Sequence, residues 1–159
     1  MKLLTHVTFL APDFDEPARR QHADDAPAPA PTEGEPRPPG ADMARWLDGA
    51  LAAQGWEVLN RWTTPYGHAF DVKRTNRRYD VETQLIDGDT DRFLVTAVER
   101  RGLVPWFKGP SNSDEHALLL THLRGVLGGD SRLHEPRWYS EAEWTAADRG
   151  PGHDVPIAQ

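Results

Sequence analysis

Apolar and polar residues alternate through the stretch from Ala69 to Arg101. Phe70 and Val72, then Tyr79, Val81, Thr83 and Leu85, then Phe93, Val95 and Ala97 fall at every second position. A period of two is the pattern of a half-buried sheet. It predicts three antiparallel strands, 69–75, 78–86 and 92–100, joined by a tight Asn76-Arg77 turn and by the loop Asp87-Gly88-Asp89-Thr90-Asp91. Asp71, Lys73, Asp80, Glu82 and Gln84 fall on the opposite face, which is expected to be charged and wet. Trp56 to Trp62 reads as a preceding strand and Thr63 to Gly67 as a turn, giving four consecutive antiparallel strands.

The pattern changes to a helical period on either side. Met43, Trp46, Leu47, Ala50 and Leu51 lie at i, i+3, i+4, i+7 and i+8 of a helix expected over Asp42 to Gln54, with Asp42 as N-cap and Gly55 as the C′ residue. A second helix is expected from Ser113 to Leu127, with Asp114 and Glu115 in its first turn and a Gly128-Gly129 stop. Arg137 to Tyr139 suggests a short last strand, and Ser140-Glu141-Ala142-Glu143 is a capping box opening a short helix to about Ala147. The apolar stripes of both long helices need a shared surface, and the alternating face supplies one. The fold class expected is therefore α+β: a four- to five-stranded, mainly antiparallel sheet with two long helices packed on one face. Trp46, Leu47, Leu51, Phe70, Val81, Phe93, Val95, Leu120 and Leu123 are its expected core.

Residues 1–10 carry apolar side chains at both alternations and predict a strand that joins the sheet from a distance. Residues 11–40 hold eight of the fourteen prolines and seven acids against three bases. Such a segment buries too little surface to offset ordering entropy, so a disordered acidic linker is expected. Residues 41–148 then form a single α+β domain, and 149–159 a frayed tail.

At 159 residues the chain supports one domain with a real core. Its formal charge of −7 speaks against nucleic-acid or anionic-membrane binding, both of which need a positive field, and for a basic protein partner. With no cysteine, disulfides and thiolate chemistry are excluded. The N-terminal run is interrupted by Thr5, His6 and Thr8 and followed by acids, unlike a signal peptide, and no segment has the length of a transmembrane helix. A cytoplasmic protein of bacterial type is the expectation.

Candidate chemistry is sparse. Asp87, Asp89 and Asp91 have the alternate carboxylate spacing that opens a calcium loop, but an EF-hand needs Gly and Glu where Arg92 and Val98 stand, so an ordinary hairpin turn is expected. His68 sits in the turn at the same end of the sheet as these aspartates. His116 and His122 are six apart on a helix, which places them on divergent faces. No metal or other cofactor is expected.

Asp71 on one strand and Glu82-Thr83-Gln84 on the next, framed by helices, form a pattern that resembles the PD-(D/E)xK nuclease family over about Trp46 to Val95. The resemblance implies magnesium binding by Asp71 and Glu82. The chain departs from the family pattern at Gln84, where the family has Lys, and at Phe70, where it has Pro.

The meander also brings Arg77, Arg78, Arg100 and Arg101 to one edge, with Trp106, Phe107 and Lys108 following directly. Arginines beside aromatics suit a protein or anionic partner. The bland alternative is pairing of these arginines with Asp80, Glu99 or the linker. The leading functional expectation is a small, acidic, non-enzymatic protein-binding module, an immunity protein or inhibitor that docks on a toxin or other enzyme. The alternatives are a metal-dependent nuclease using Asp71, Glu82 and Gln84, and a regulator that binds a phosphorylated small molecule at the arginine edge.

Overall fold

The computed structural model describes residues 2–14, 40–87, 91–100 and 114–158. The chain is α+β, with a six-stranded antiparallel sheet and three helices among the described residues. In chain order the elements are β1 (Lys2–Leu3), β2 (His6–Leu10), α1 (Ala41–Ala53), β3 (Glu57–Thr63), β4 (Gly67–Lys73), β5 (Arg78–Asp87), β6 (Arg92–Glu99), α2 (Asp114–Gly129), β7 (His134–Tyr139), α3 (Glu141–Thr145) and β8 (Ile157–Ala158). The sheet order is β3-β4-β5-β6-β2-β7, and β1 pairs with β8 in a separate ribbon.

The four-strand run β3 to β6 matches the alternating pattern, whereas the expected count of four to five strands is corrected to six. The additional strands share one cause. Apolar on both faces, β2 is stable only between neighbours, and it inserts between β6 and β7 with Val7 opposite both Val95 and Trp138.

One cluster of buried side chains joins both long helices to the sheet. Met43, Leu47 and Leu51 of α1 and Leu119, Leu120, Leu123 and Leu127 of α2 pack with Val7, Phe9, Phe70, Val72, Tyr79, Val81, Phe93, Val95 and Ala97. Of the expected core residues only Trp46 is half-buried; its ring meets Phe14 edge-on at 5.4 Å.

Several boundaries differ from expectation. Helix α1 starts one residue earlier, capped by Gly40 at φ 109° rather than by Asp42. The left-handed turn at Gly40 brings its carbonyl to the Thr83 hydroxyl at 3.2 Å, while Asp42 stays in the first turn and pairs with Arg45. Gly128 and Gly129 are the last residues of α2 rather than its stop. Ala11 and Phe14, assigned by composition to the linker, are buried in the core, and Ala11 N–H donates to the Asp91 carbonyl. Residues 15–39, the rest of the expected linker, lie outside the described residues.

The C-terminal stretch expected to fray is docked instead. Trp138 and His153 exchange both backbone hydrogen bonds at 2.8 Å, Leu4 N–H donates to Pro156, and β8 pairs with β1. The Ser140–Glu143 capping box forms as expected. This segment lays Trp144 against His6 and Tyr139 on the second face of the sheet, covering it over β2 and β7, whereas over β3 to β6 no helix among the described residues packs on that face. No helix among the described residues is long and apolar enough to cross a membrane.

Candidate functional site

The second face over β3 to β6 is organised by one buried carboxylate. Asp71 stands opposite Asp80 in the β4–β5 register and is fully buried. An isolated carboxylate in that position would be strongly disfavoured, and its partners are supplied by neighbouring strands. The β3–β4 register shifts between Val58 and Arg61, which turns Asn60 toward Asp71. Asn60 donates its backbone N–H to Oδ1 at 2.7 Å and its side-chain amide at 3.0 Å. From just past β6 and from the start of β5, Arg100 Nη1 reaches Oδ2 at 3.3 Å and Arg78 Nη1 lies 3.8 Å away.

Arg100 links this network to the surface. Its Nε is 3.1 Å from Asp80, and its guanidinium carbon lies 5.3 Å from the centre of the Trp62 ring. Burial pushes the Asp80 carboxyl upward, with Arg100 acting against the shift and Asp71 adding to it. Arg77 Nη1 meets Glu99 at 2.6 Å. The topology thus brings Arg77, Arg78 and Arg100 to one edge, and each meets a carboxylate there. Arg101, Trp106, Phe107 and Lys108 lie outside the described residues.

The nuclease candidates Asp71, Glu82 and Gln84 share this face, and Asp71 and Glu82 are engaged in hydrogen bonds there. Asp71 is surrounded by donors, and Glu82 Oε1 accepts from the Thr64 hydroxyl at 2.7 Å. Among the described residues no group of three or more His, Cys, Asp or Glu is arranged to hold a metal ion. Of the aspartate loop, Asp87 ends β5, Asp91 takes φ 53° and gives its carbonyl to Ala11, and Asp89 lies outside the described residues.

His116 and His122 serve packing. His116 Nε2–H donates to the Ala97 carbonyl at 2.9 Å beneath Tyr79, and His122 Nδ1 accepts from Trp56 Nε1–H at 3.0 Å. The backbone carbonyl of His68 faces the Thr83 hydroxyl at 3.2 Å, and the residue borders a cleft of about 350 Å³ between α1 and the β3–β4 hairpin. In the same cleft Arg61 Nε donates to the buried Asp48 at 2.5 Å.

Sequence reasoning missed Trp62, Asn60 and the Asp48–Arg61 pair. Asp48, four residues after Ala44 on the buried side of α1, carried the one legible signal: a charge there requires a partner. No protein-family model matches the chain, and no curated protein or solved structure matches it significantly.

Proposed function

We propose that the chain is a non-catalytic protein-binding module that docks on a basic partner protein, in the manner of an inhibitor or immunity protein, through its second sheet face over β3 to β6. The observation carrying this reading is the Trp62–Arg100 stack held by Asp71 and Asp80. An aromatic ring and an arginine fixed before binding lose little side-chain entropy on association, and they are the residue types that dominate interface energetics.

Apolar groups accompany the stack. Val98, on the same face, is 46% exposed, Ile86 at the β5 register shift is 38% exposed, and Tyr66 at the β3–β4 turn is 72% exposed. Because Arg77, Arg78 and Arg100 are each matched locally, the edge carries little net positive charge, and the −7 of the whole chain favours a basic partner at long range. The nuclease reading has less support, since magnesium would have to displace Asn60 and Arg100 from Asp71. Local pairing of the arginines likewise weakens a phosphate site at this edge.

The test uses a partner purified by capture on the wild-type chain. Trp62→Ala with Val98→Lys should weaken binding of that basic partner by at least tenfold with the melting temperature nearly unchanged, since a lysine there faces Asp80, and hydrogen exchange in the complex should protect β3 to β6. Unaltered binding by the double variant rules this face out. Magnesium-dependent cleavage of DNA that disappears in Asp71→Ala would instead establish the nuclease.

A further inference from the structure

Asp48 is a charged residue on the buried side of α1, and only one of its two oxygens is matched. Its side chain keeps 8% of its surface, and Oδ2 accepts from Arg61 Nε at 2.5 Å. Oδ1 has no hydrogen-bond partner among the described residues, yet it is not sealed from solvent. A buried carboxylate is tolerated when its remaining lone pairs are also satisfied, so Oδ1 calls for a donor. Asp48 lines the cleft of about 350 Å³ between α1 and the β3–β4 hairpin, on the same wall as Ala41 and Ala44.

The facing wall supplies a complementary group. Arg61 pairs across the sheet with Phe70, a core residue, and therefore stands on the helix side of β3. It is 62% exposed, but the bond from its Nε to a buried oxygen holds the guanidinium in place. Its Nη1 and Nη2 have no partner among the described residues. Arg45, also in the lining, is already matched by Asp42. The cleft thus holds a free acceptor and free donors of opposite charge, side by side. A simple anion would meet Asp48 there and a simple cation would meet Arg61, whereas a ligand carrying both charges satisfies both.

We propose that the cleft between α1 and the β3–β4 hairpin binds a small aliphatic α-amino acid, its ammonium received by Asp48 Oδ1, its carboxylate by the terminal nitrogens of Arg61, and its side chain by Ala41 and Ala44. An α-amino acid carries both charges on one carbon and so reaches the two members of one ion pair together. The volume lies at the lower end of the range of small-ligand sites, about 300–1,000 Å³. The site lies on the helix side of β3, behind the docking face proposed above, and neither depends on the other.

L-Valine is the probe, with isobutylamine as the form lacking the carboxylate and isovalerate as the form lacking the ammonium. Calorimetric titration of the full chain should show saturable binding of L-valine and binding at least tenfold weaker for either control, the effect of losing a charge-assisted hydrogen bond. In an ¹⁵N–¹H correlation spectrum the amides that shift should include those of Ala44, Asp48 and Arg61. Asp48→Asn keeps the shape and removes the charge, whereas Arg61→Lys keeps a cation beside Asp48 and removes the terminal nitrogens. Each should weaken L-valine binding about tenfold, with circular dichroism reporting the fold. Arg61 stands largely in solvent, so the second variant should fold even where the first does not. Absence of L-valine binding, equal binding of either control, shifts confined to amides away from the cleft, or unchanged affinity in either folded variant overturns the proposal.

Discussion

Arg100 Nη1 lies 3.3 Å from Oδ2 of Asp71, joining a half-exposed arginine just past the end of β6 to a carboxylate that no solvent reaches. The contact crosses β5 and ties the end of the meander to its second strand. Asp71 is therefore the residue on which the charged edge depends.

Replacing Asp71 by Ala should destabilise the fold by about 2–3 kcal/mol, because Asn60 and Arg100 are left as unsatisfied donors. Arg100→Glu should also destabilise, since it sets a carboxylate beside Asp71 and Asp80. Urea unfolding measures both. A change under about 0.5 kcal/mol in either variant, the range of ordinary surface substitutions, means that the network is not structural.

The strands β3 to β6 were legible because alternation records burial directly, and Phe70, Val81, Phe93 and Val95 are buried as their spacing requires. The insertion of β2 was not, since pairing across more than eighty residues leaves no local trace. The docked C-terminus was hidden for a similar reason. Its anchors, Trp144 on His6 and His153 on Trp138, are tertiary contacts made by a segment rich in Gly, Pro and charge. At the charged edge the sequence placed Arg77, Arg78 and Arg100 together through topology. It did not show Asn60, because a register shift in β3, absent from any periodic pattern, is what aims that residue at Asp71.

An inner strand should be indispensable. Phe9 is fully buried and stacks on Phe93 at 6.2 Å, so Phe9→Ala should cost about 3–5 kcal/mol. Removal of residues 1–10 strips β6 and β7 of their shared neighbour and should leave a chain without a cooperative thermal transition. A truncated chain that still melts cooperatively near the wild-type temperature would refute the central placement of β2.

Stability should fall on mild acidification. Burial lowers the His6 pKa below 6.5, with Glu141 opposing and Arg149 reinforcing the shift; the Thr5 hydroxyl and the Trp144 ring also face this imidazole. Burial, reinforced by Arg74, lowers His122 as well. As pH drops through 6.5 the unfolded chain takes up these protons before the folded one, so stability is lost from about pH 6.5 downward until the folded values are passed. Glu143 has its pKa lowered by Lys2, then by Ser140 and His153, and adds a separate loss as pH falls below 4.5. Urea midpoints at pH 7.5 and 5.5 should differ less in His6→Gln than in the wild type. An equal difference excludes His6 from the effect.

The docking of the C-terminal segment should depend on one glycine. Gly152 has φ +75°, and a Cβ there would come within 2.7 Å of Tyr139 Cζ. Gly55 has a similar φ of +86° but open space around the added atom. Alanine at either position pays the left-handed backbone cost of about 1–2 kcal/mol. Only at Gly152 must the chain also retreat from Tyr139, which would loosen the His153–Trp138 backbone pair and the β1–β8 ribbon that follows it. Gly152→Ala should therefore lower the melting temperature more than Gly55→Ala and speed hydrogen exchange at Leu4, Trp138 and His153, whereas Gly55→Ala should leave those amides unchanged. Equal melting temperatures with slow exchange at all three amides in Gly152→Ala would show that Tyr139 yields without cost and that the segment is anchored elsewhere.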